Sequence, residues 1–174
     1  MKRNFKFNRV LVIGCCGAGK TTLSKKLKNI LNLPVIHLDA HYHKPKWKEP
    51  TKEDWLNTLH KLTRKEKWIM DGTYLDFLDV RIPRSDAIIF LDYNSIKCFL
   101  RVIKRNILDY GKKRSDMAAG CKENFDIVFL KYVLMYNYQN RKQIYKKLYS
   151  VKSEKEIVIL KNDYEVDLFL SQIN

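Results

Sequence analysis

Residues 14–21 read Gly-Cys-Cys-Gly-Ala-Gly-Lys-Thr and match G-x-x-x-x-G-K-[ST] at every required position. Glycines in such a turn let successive backbone N–H groups point inward at phosphate oxygens. A helix starting near Lys20 brings the positive end of its dipole to the same point. There Lys20 reaches the β- and γ-phosphates and the Thr21 hydroxyl ligates Mg²⁺. Gly14, Gly17, Ala18, Gly19, Lys20, Thr21 and Thr22 are therefore the expected cradle for a nucleoside triphosphate, taken to be ATP. Transfer of its γ-phosphoryl group further requires positive charge on the moving group and a positioned acceptor. Asp39 and Asp71 are the candidates to orient an acceptor hydroxyl, to take its proton, or to hold Mg²⁺ through water. Arg101 and Arg105, one helical turn apart, and Arg114 just beyond them are the candidate charge donors. The expected catalytic set is Lys20, Asp39, Asp71, Arg101, Arg105 and Arg114. For the arginines the competing reading is a solvated basic surface, and for Asp39 a helix cap at a strand end.

The elements that must hold these residues alternate between short apolar runs and helical patterns. Val10–Ile13, 35-VIHLD-39, 67-KWIMDG-72, 86-DAIIFLD-92 and 156-EIVIL-160 have the length and β-branching of buried strands. Leu23, Leu27, Ile30 and Leu31 recur at helical spacing behind the glycine loop. Residues 40–50, with two prolines, read as loop. Thr51 with Asp54 three residues on predicts a helix start. A helix capped by Asn94 or Ser95 is expected to bury Ile96, Phe99, Leu100, Ile103 and Ile107, with Arg101 and Arg105 on the opposite face. The polar run 109–124 interrupts the pattern, and a long helix follows with Phe125, Phe129, Tyr132 and Tyr136 as an expected core stripe.

Strands of continuous apolar character alternating with helices specify an α/β domain with a parallel sheet covered on both faces. Ligands bind outside the carboxyl ends of such strands, which singles out Gly14, Asp39, Asp71 and Asp92. Asp92, preceding a capped helix, is read as structural. The whole of 1–174 is expected to be one domain, with an acceptor-binding insertion at about 40–66 and a closing lid at about 110–123.

The 174 residues carry 34 Lys and Arg against 19 Asp and Glu, a formal net charge of +15. Such a balance suits phosphorylated or polyanionic partners, yet many lysines fall singly on amphipathic helices as a solvated face. The four cysteines, at 15, 16, 98 and 121, have neither metal-ligand spacing nor a secreted-framework pattern and are read as reduced thiols. No apolar run approaches membrane-spanning length, no signal-like h-region opens the chain, and a cytoplasmic protein is expected.

The segments Pro34–Asp39, 68-WIMDGTY-74, Arg81, 99-FLRVIKR-105, 114-RSDMAAGC-121 and 160-LKNDYEVDLFL-170 together resemble the DNA topology modulation proteins, small P-loop proteins of the adenylate-kinase-like class. The likeness covers nearly the whole chain and implies a five-stranded sheet ordered 2-3-1-4-5, a nucleotide-binding loop, an acceptor-binding insertion and an arginine-bearing lid. The leading functional expectation is an ATP- and Mg²⁺-dependent kinase for a nucleoside, nucleotide or other small hydroxyl compound. A nucleotide-switched nucleic-acid-binding regulator and a polynucleotide-end kinase are the alternatives. Asp71-Gly72 resembles the Asp-Gly of nucleoside monophosphate kinases, where Phe-Pro-Arg follows; here Thr73-Tyr74 follows instead. Arg81 is the expected stand-in for the missing arginine.

Overall fold

The computed structural model describes residues 6–43, 47–108 and 126–173. Five strands, β1 (Arg9–Gly14), β2 (Val35–His37), β3 (Trp68–Asp71), β4 (Ala87–Leu91) and β5 (Glu156–Leu160), form one sheet in the order β2-β3-β1-β4-β5. Every pairing is parallel. The strand order and the parallel α/β architecture are those expected. The three central strands are buried nearly end to end, which is why their sequences are unbroken apolar runs.

The helices are α1 (Lys20–Leu31), α2 (Leu38–Tyr42), α3 (Lys52–Thr63), α4 (Leu78–Arg81), α5 (Ser95–Leu108), α6 (Ile127–Ser150) and α7 (Asp163–Ile173). None among the described residues is long and apolar enough to cross a membrane. Helix α3 starts where the capping pattern places it, with the Asp54 amide donating to Thr51 Oγ1 at 3.1 Å. Strand β2 is shorter than its apolar run: it ends at His37, and Asp39 lies in the first turn of α2. Two 3₁₀ turns, Leu75–Phe77 and Ile82–Arg84, flank α4 in a stretch whose sequence shows no period.

Helix α5 departs from expectation. Of the five residues of the expected core stripe, Ile96, Leu100 and Ile107 are each about 60% exposed and Phe99 and Ile103 are half-buried, while Ser95, Cys98, Val102 and Asn106 are buried. Crowding is the cause. A Cβ on Gly17 would stand 2.5 Å from the Cys98 carbonyl oxygen and 3.1 Å from Val102, so the phosphate-loop backbone lies directly on α5. Only small side chains fit at that contact, and the bulky residues turn outward. Arg101 and Arg105 still lie opposite the apolar stripe, and both border the main cleft. The α6 stripe is likewise only partly core. Tyr136 is buried, whereas Phe129 and Tyr132 are partly exposed, and all three line the cleft. Phe125 lies outside the described residues, as do Arg114 and the segment 110–123 assigned to the lid.

Candidate active site

The carboxyl ends of β1, β2 and β3 open onto one cleft of about 1360 Å³. Gly14, Gly17, Ala18, Gly19, Lys20, Thr21 and Thr22 line one wall, and Asp39 and Asp71 line another. The sequence-predicted set, Arg114 excepted, is thus gathered around a single space. Asp92 does not border it: its carboxylate accepts from Arg141 Nη2 at 2.7 Å and from the Tyr145 hydroxyl at 2.8 Å.

Three contacts shape the phosphate loop. Gly14 has φ of +148°, and a side chain there would drive a Cβ to 2.7 Å from the Leu91 carbonyl oxygen. Its N–H donates to Thr73 Oγ1 at 2.9 Å, and the same hydroxyl donates to the Gly14 carbonyl at 2.6 Å. One buried side chain thereby satisfies both polar groups of the residue at which strand becomes loop. Lys20 Nζ donates to the Cys15 carbonyl at 3.1 Å, within the loop. Cys15 is itself buried, and its thiol pKa is raised by the contact with Cys98 and by burial. A raised pKa keeps it a packing residue and no nucleophile.

Parallel register sets His37 opposite Asp71, and His37 Nδ1 lies 2.9 Å from Asp71 Oδ2. Asp39 Oδ1 accepts from the Tyr74 hydroxyl at 2.7 Å. Burial and the Asp39 carboxylate push the Tyr74 phenol well above its ordinary pKa, so it remains a donor. Tyr74 sits at φ of +36°, in the left-handed region that a bulky residue rarely occupies. Arg81 imposes that turn. Its guanidinium donates to the carbonyls of Gly72 (2.7 Å), Thr73 and Tyr74 (3.1 Å), and the side chain is fully buried. Burial pulls its pKa down to about 9. The expectation that Arg81 serves the acceptor is therefore corrected: its donors are committed to the backbone between β3 and α4, away from the cleft.

On the opposite side of the loop the Asp163 carboxylate, at the start of α7, gathers three donors. Tyr93 Oη and Lys97 Nζ lie at 2.8 Å and Arg101 Nη2 at 2.7 Å. Hydrogen bonds from Arg101 and Lys97 hold Asp163 well below the usual carboxylate range. Arg101 thus borders the cleft bound to Asp163, an anchorage no pattern in its own helix signals. Thr73, which ties the loop to the sheet, lies past the end of β3 and beyond a glycine at positive φ, where no strand period marks it.

Oxygen donors of this kind fit Mg²⁺, which favours carboxylate, hydroxyl and phosphate oxygens over nitrogen or sulfur. Thr21 and Asp71 border the same cleft, and His37 is paired with Oδ2 of the Asp71 carboxylate.

No family model and no curated protein matches the chain. Solved structures do. A shikimate kinase from Bacteroides thetaiotaomicron aligns with a TM-score of 0.54 at 18% identity, covering 96% of each chain. A gluconokinase from Sinorhizobium meliloti 1021 aligns with 0.54 at 18%, over 98% of this chain and 91% of its own. A shikimate kinase from Aquifex aeolicus gives 0.55 at 17%, over 95% and 92%. At such identity the likeness establishes architecture, and with the sheet order and the phosphate loop it places the chain in the adenylate-kinase-like P-loop fold.

Proposed function

We propose that the protein is a kinase that moves the γ-phosphoryl group of ATP to the hydroxyl of a small acceptor. The observation that carries this reading is the convergence of the phosphate loop, Lys20 and Thr21 with Asp39 and Asp71 on one cleft. A nucleotide-binding switch needs the first three; a carboxylate on the same cleft is what an acceptor hydroxyl needs, a group to orient it and take its proton. The resemblance to topology modulation proteins supports the same core without naming an acceptor.

In this reading Lys20 leaves the Cys15 carbonyl for the β- and γ-phosphates, while loop N–H groups hold the phosphate chain. Thr21 and, through water, Asp71 would hold Mg²⁺, which supplies charge neutralisation on the phosphoryl oxygens. His37 fixes the Asp71 carboxylate. Asp39, steadied by Tyr74, orients the acceptor O–H and takes its proton as the new O–P bond forms and the bond from the γ-phosphorus to the β–γ bridging oxygen breaks. Arg105, and Arg101 once released from Asp163, supply charge to the transferring group, with Arg114 assigned the same task from the proposed lid.

Calorimetry with ATP and Mg²⁺, followed by transfer of labelled γ-phosphate across a panel of hydroxyl compounds, tests the proposal. Lys20→Ala is expected to weaken ATP binding and to lower transfer by about a hundredfold or more, a charged donor to the transition state being worth ~3 kcal/mol. Unchanged affinity and turnover in that variant would remove the basis of the assignment.

A further inference from the structure

The acceptor end of the cleft has a charge and a surface chemistry of its own. Its described lining from β2 through the β3 turn carries Asp39, Glu49 and Asp71 and includes no lysine or arginine. This occurs in a chain whose basic residues outnumber its acidic ones by 34 to 19. Arg81, the first cation after the β3 turn, is bonded to backbone carbonyls and fully buried. Lys44 and Lys46 lie outside the described residues.

Aromatic rings accompany the carboxylates. Tyr42 and Tyr74 stand 4.8 Å apart with planes inclined at 49°, and both rest against Trp55 at 4.9 and 5.2 Å. His43 bridges from Tyr42 to Trp47, at 5.1 and 5.0 Å. Trp55 is buried beneath, whereas Tyr42 and Trp47 face the cleft and Trp47 keeps 36% of its surface exposed. The Tyr42 hydroxyl donates to Glu49 Oε2 at 3.2 Å, which places a carboxylate at the edge of an aromatic wall. Aromatic faces attract cations through their quadrupole, and a neighbouring carboxylate adds to that field while repelling anions. Shikimate and gluconate, named for the structural neighbours, are carboxylates and present the opposite charge.

Building on the kinase reading, we propose that the acceptor is an amino alcohol, its ammonium group seated against Tyr42 and Trp47 beside Glu49 and its hydroxyl at Asp39. The reaction balances as an ordinary phosphoryl transfer. The acceptor oxygen bonds to the γ-phosphorus, the bond from that phosphorus to the β–γ bridging oxygen breaks, ADP departs with the electron pair, and the hydroxyl proton passes to Asp39. The ammonium group keeps its positive charge throughout.

The test compares matched acceptors with Mg-ATP: ethanolamine, choline and an amino sugar, their neutral polyol counterparts, a hydroxy acid, and a nucleoside. The expected result is a kcat/KM for the best amino alcohol about tenfold or more above its neutral counterpart, with no detectable use of the hydroxy acid. Glu49→Gln should shrink the cation-to-neutral ratio several-fold, and Glu49→Lys should invert it. A readout without turnover accompanies these rates: choline alone should perturb indole fluorescence in the parent protein and not in Trp47→Phe. Preference for the hydroxy acid, the neutral polyol or the nucleoside, or a ratio untouched by both Glu49 variants, overturns the amino-alcohol assignment and leaves the kinase reading standing. Transfer to no acceptor, with no ATP bound, overturns both.

Discussion

Thr73→Val isolates the contact that fixes the phosphate loop to the sheet. Valine has nearly the shape of threonine, so the change leaves no cavity and removes only the hydroxyl. Two hydrogen bonds go with it, the 2.9 Å bond from the Gly14 N–H and the 2.6 Å bond to the Gly14 carbonyl. Both lie in the interior, where Thr73 is 8% exposed and the Tyr136 hydroxyl approaches the same oxygen at 3.5 Å. A buried hydrogen bond contributes about 1 kcal/mol net and a stranded buried donor costs about 1–3, so the expected loss is about 2–4 kcal/mol. Urea denaturation reads it: with an m-value near 2 kcal/mol/M, the midpoint should fall by about 1–2 M. ATP affinity should fall with it by about tenfold, because Gly14 sets the direction in which the loop leaves β1. Thr73→Ser keeps the hydroxyl and should recover most of both quantities. A valine variant within about 0.5 kcal/mol of the parent, or a serine variant as impaired as the valine, would refute the reasoning.

Two further substitutions separate structural from functional charge. Arg81→Leu should destabilise the fold by about 3 kcal/mol or more, since it strands the carbonyls of Gly72, Thr73 and Tyr74 in the interior; a rise in acceptor KM with unfolding unchanged would instead return Arg81 to the acceptor. Asp163→Asn probes pH dependence. The Asp163 pKa is depressed in the folded state, so its contribution is present above the unfolded carboxylate value near 4 and is lost as pH falls through the lower folded one. The stability of the parent should therefore decline more steeply than that of Asp163→Asn as pH falls below about 4, by under about 1 kcal/mol because the carboxylate is over half exposed and screened. Parallel pH profiles of the two proteins would show that the Arg101–Asp163 pair contributes nothing to folding.

The parts legible in the sequence are those specified locally. The phosphate loop is a run of eight residues whose types each answer a local requirement, and the strands of the sheet are continuous apolar runs because both faces are covered. The Thr51 cap depends on a residue three positions away. Illegible parts depend on neighbours remote in the chain. The outward turn of Ile96, Leu100 and Ile107 follows from the closeness of Gly17 to Cys98, a contact between residues 81 positions apart that no period within α5 encodes. Arg81 reads as a plausible ligand-binding cation until three carbonyls of an irregular turn are seen to converge on it. Arg101 is held by a carboxylate from α7, and Thr73 by a glycine across the sheet. In each case a polar residue is claimed by a backbone or side-chain group that only the folded chain delivers.

The same contacts divide the cleft into a rigid half and an adaptable half. On the nucleotide side Gly14 is tied to Thr73, Gly17 abuts the α5 backbone, and Lys20 already lies along the loop on the Cys15 carbonyl. Binding phosphate there requires one lysine to exchange a carbonyl for a stronger charged acceptor, with little ordering of the backbone, so affinity is not reduced by a folding step. The acceptor side is built otherwise. Asp39 and Tyr42 lie in a five-residue helix, and Trp47 is at a positive φ of 59°. Side chains on so short a helix have few backbone bonds to hold them, and the geometry of Asp39 and Tyr42 depends on the ring contacts and on the Tyr74–Asp39 bond. On the proposed kinase reading, the fold would fix where the phosphate chain lies and leave the acceptor to complete its own half of the site, which is where selection between hydroxyl compounds would be exercised.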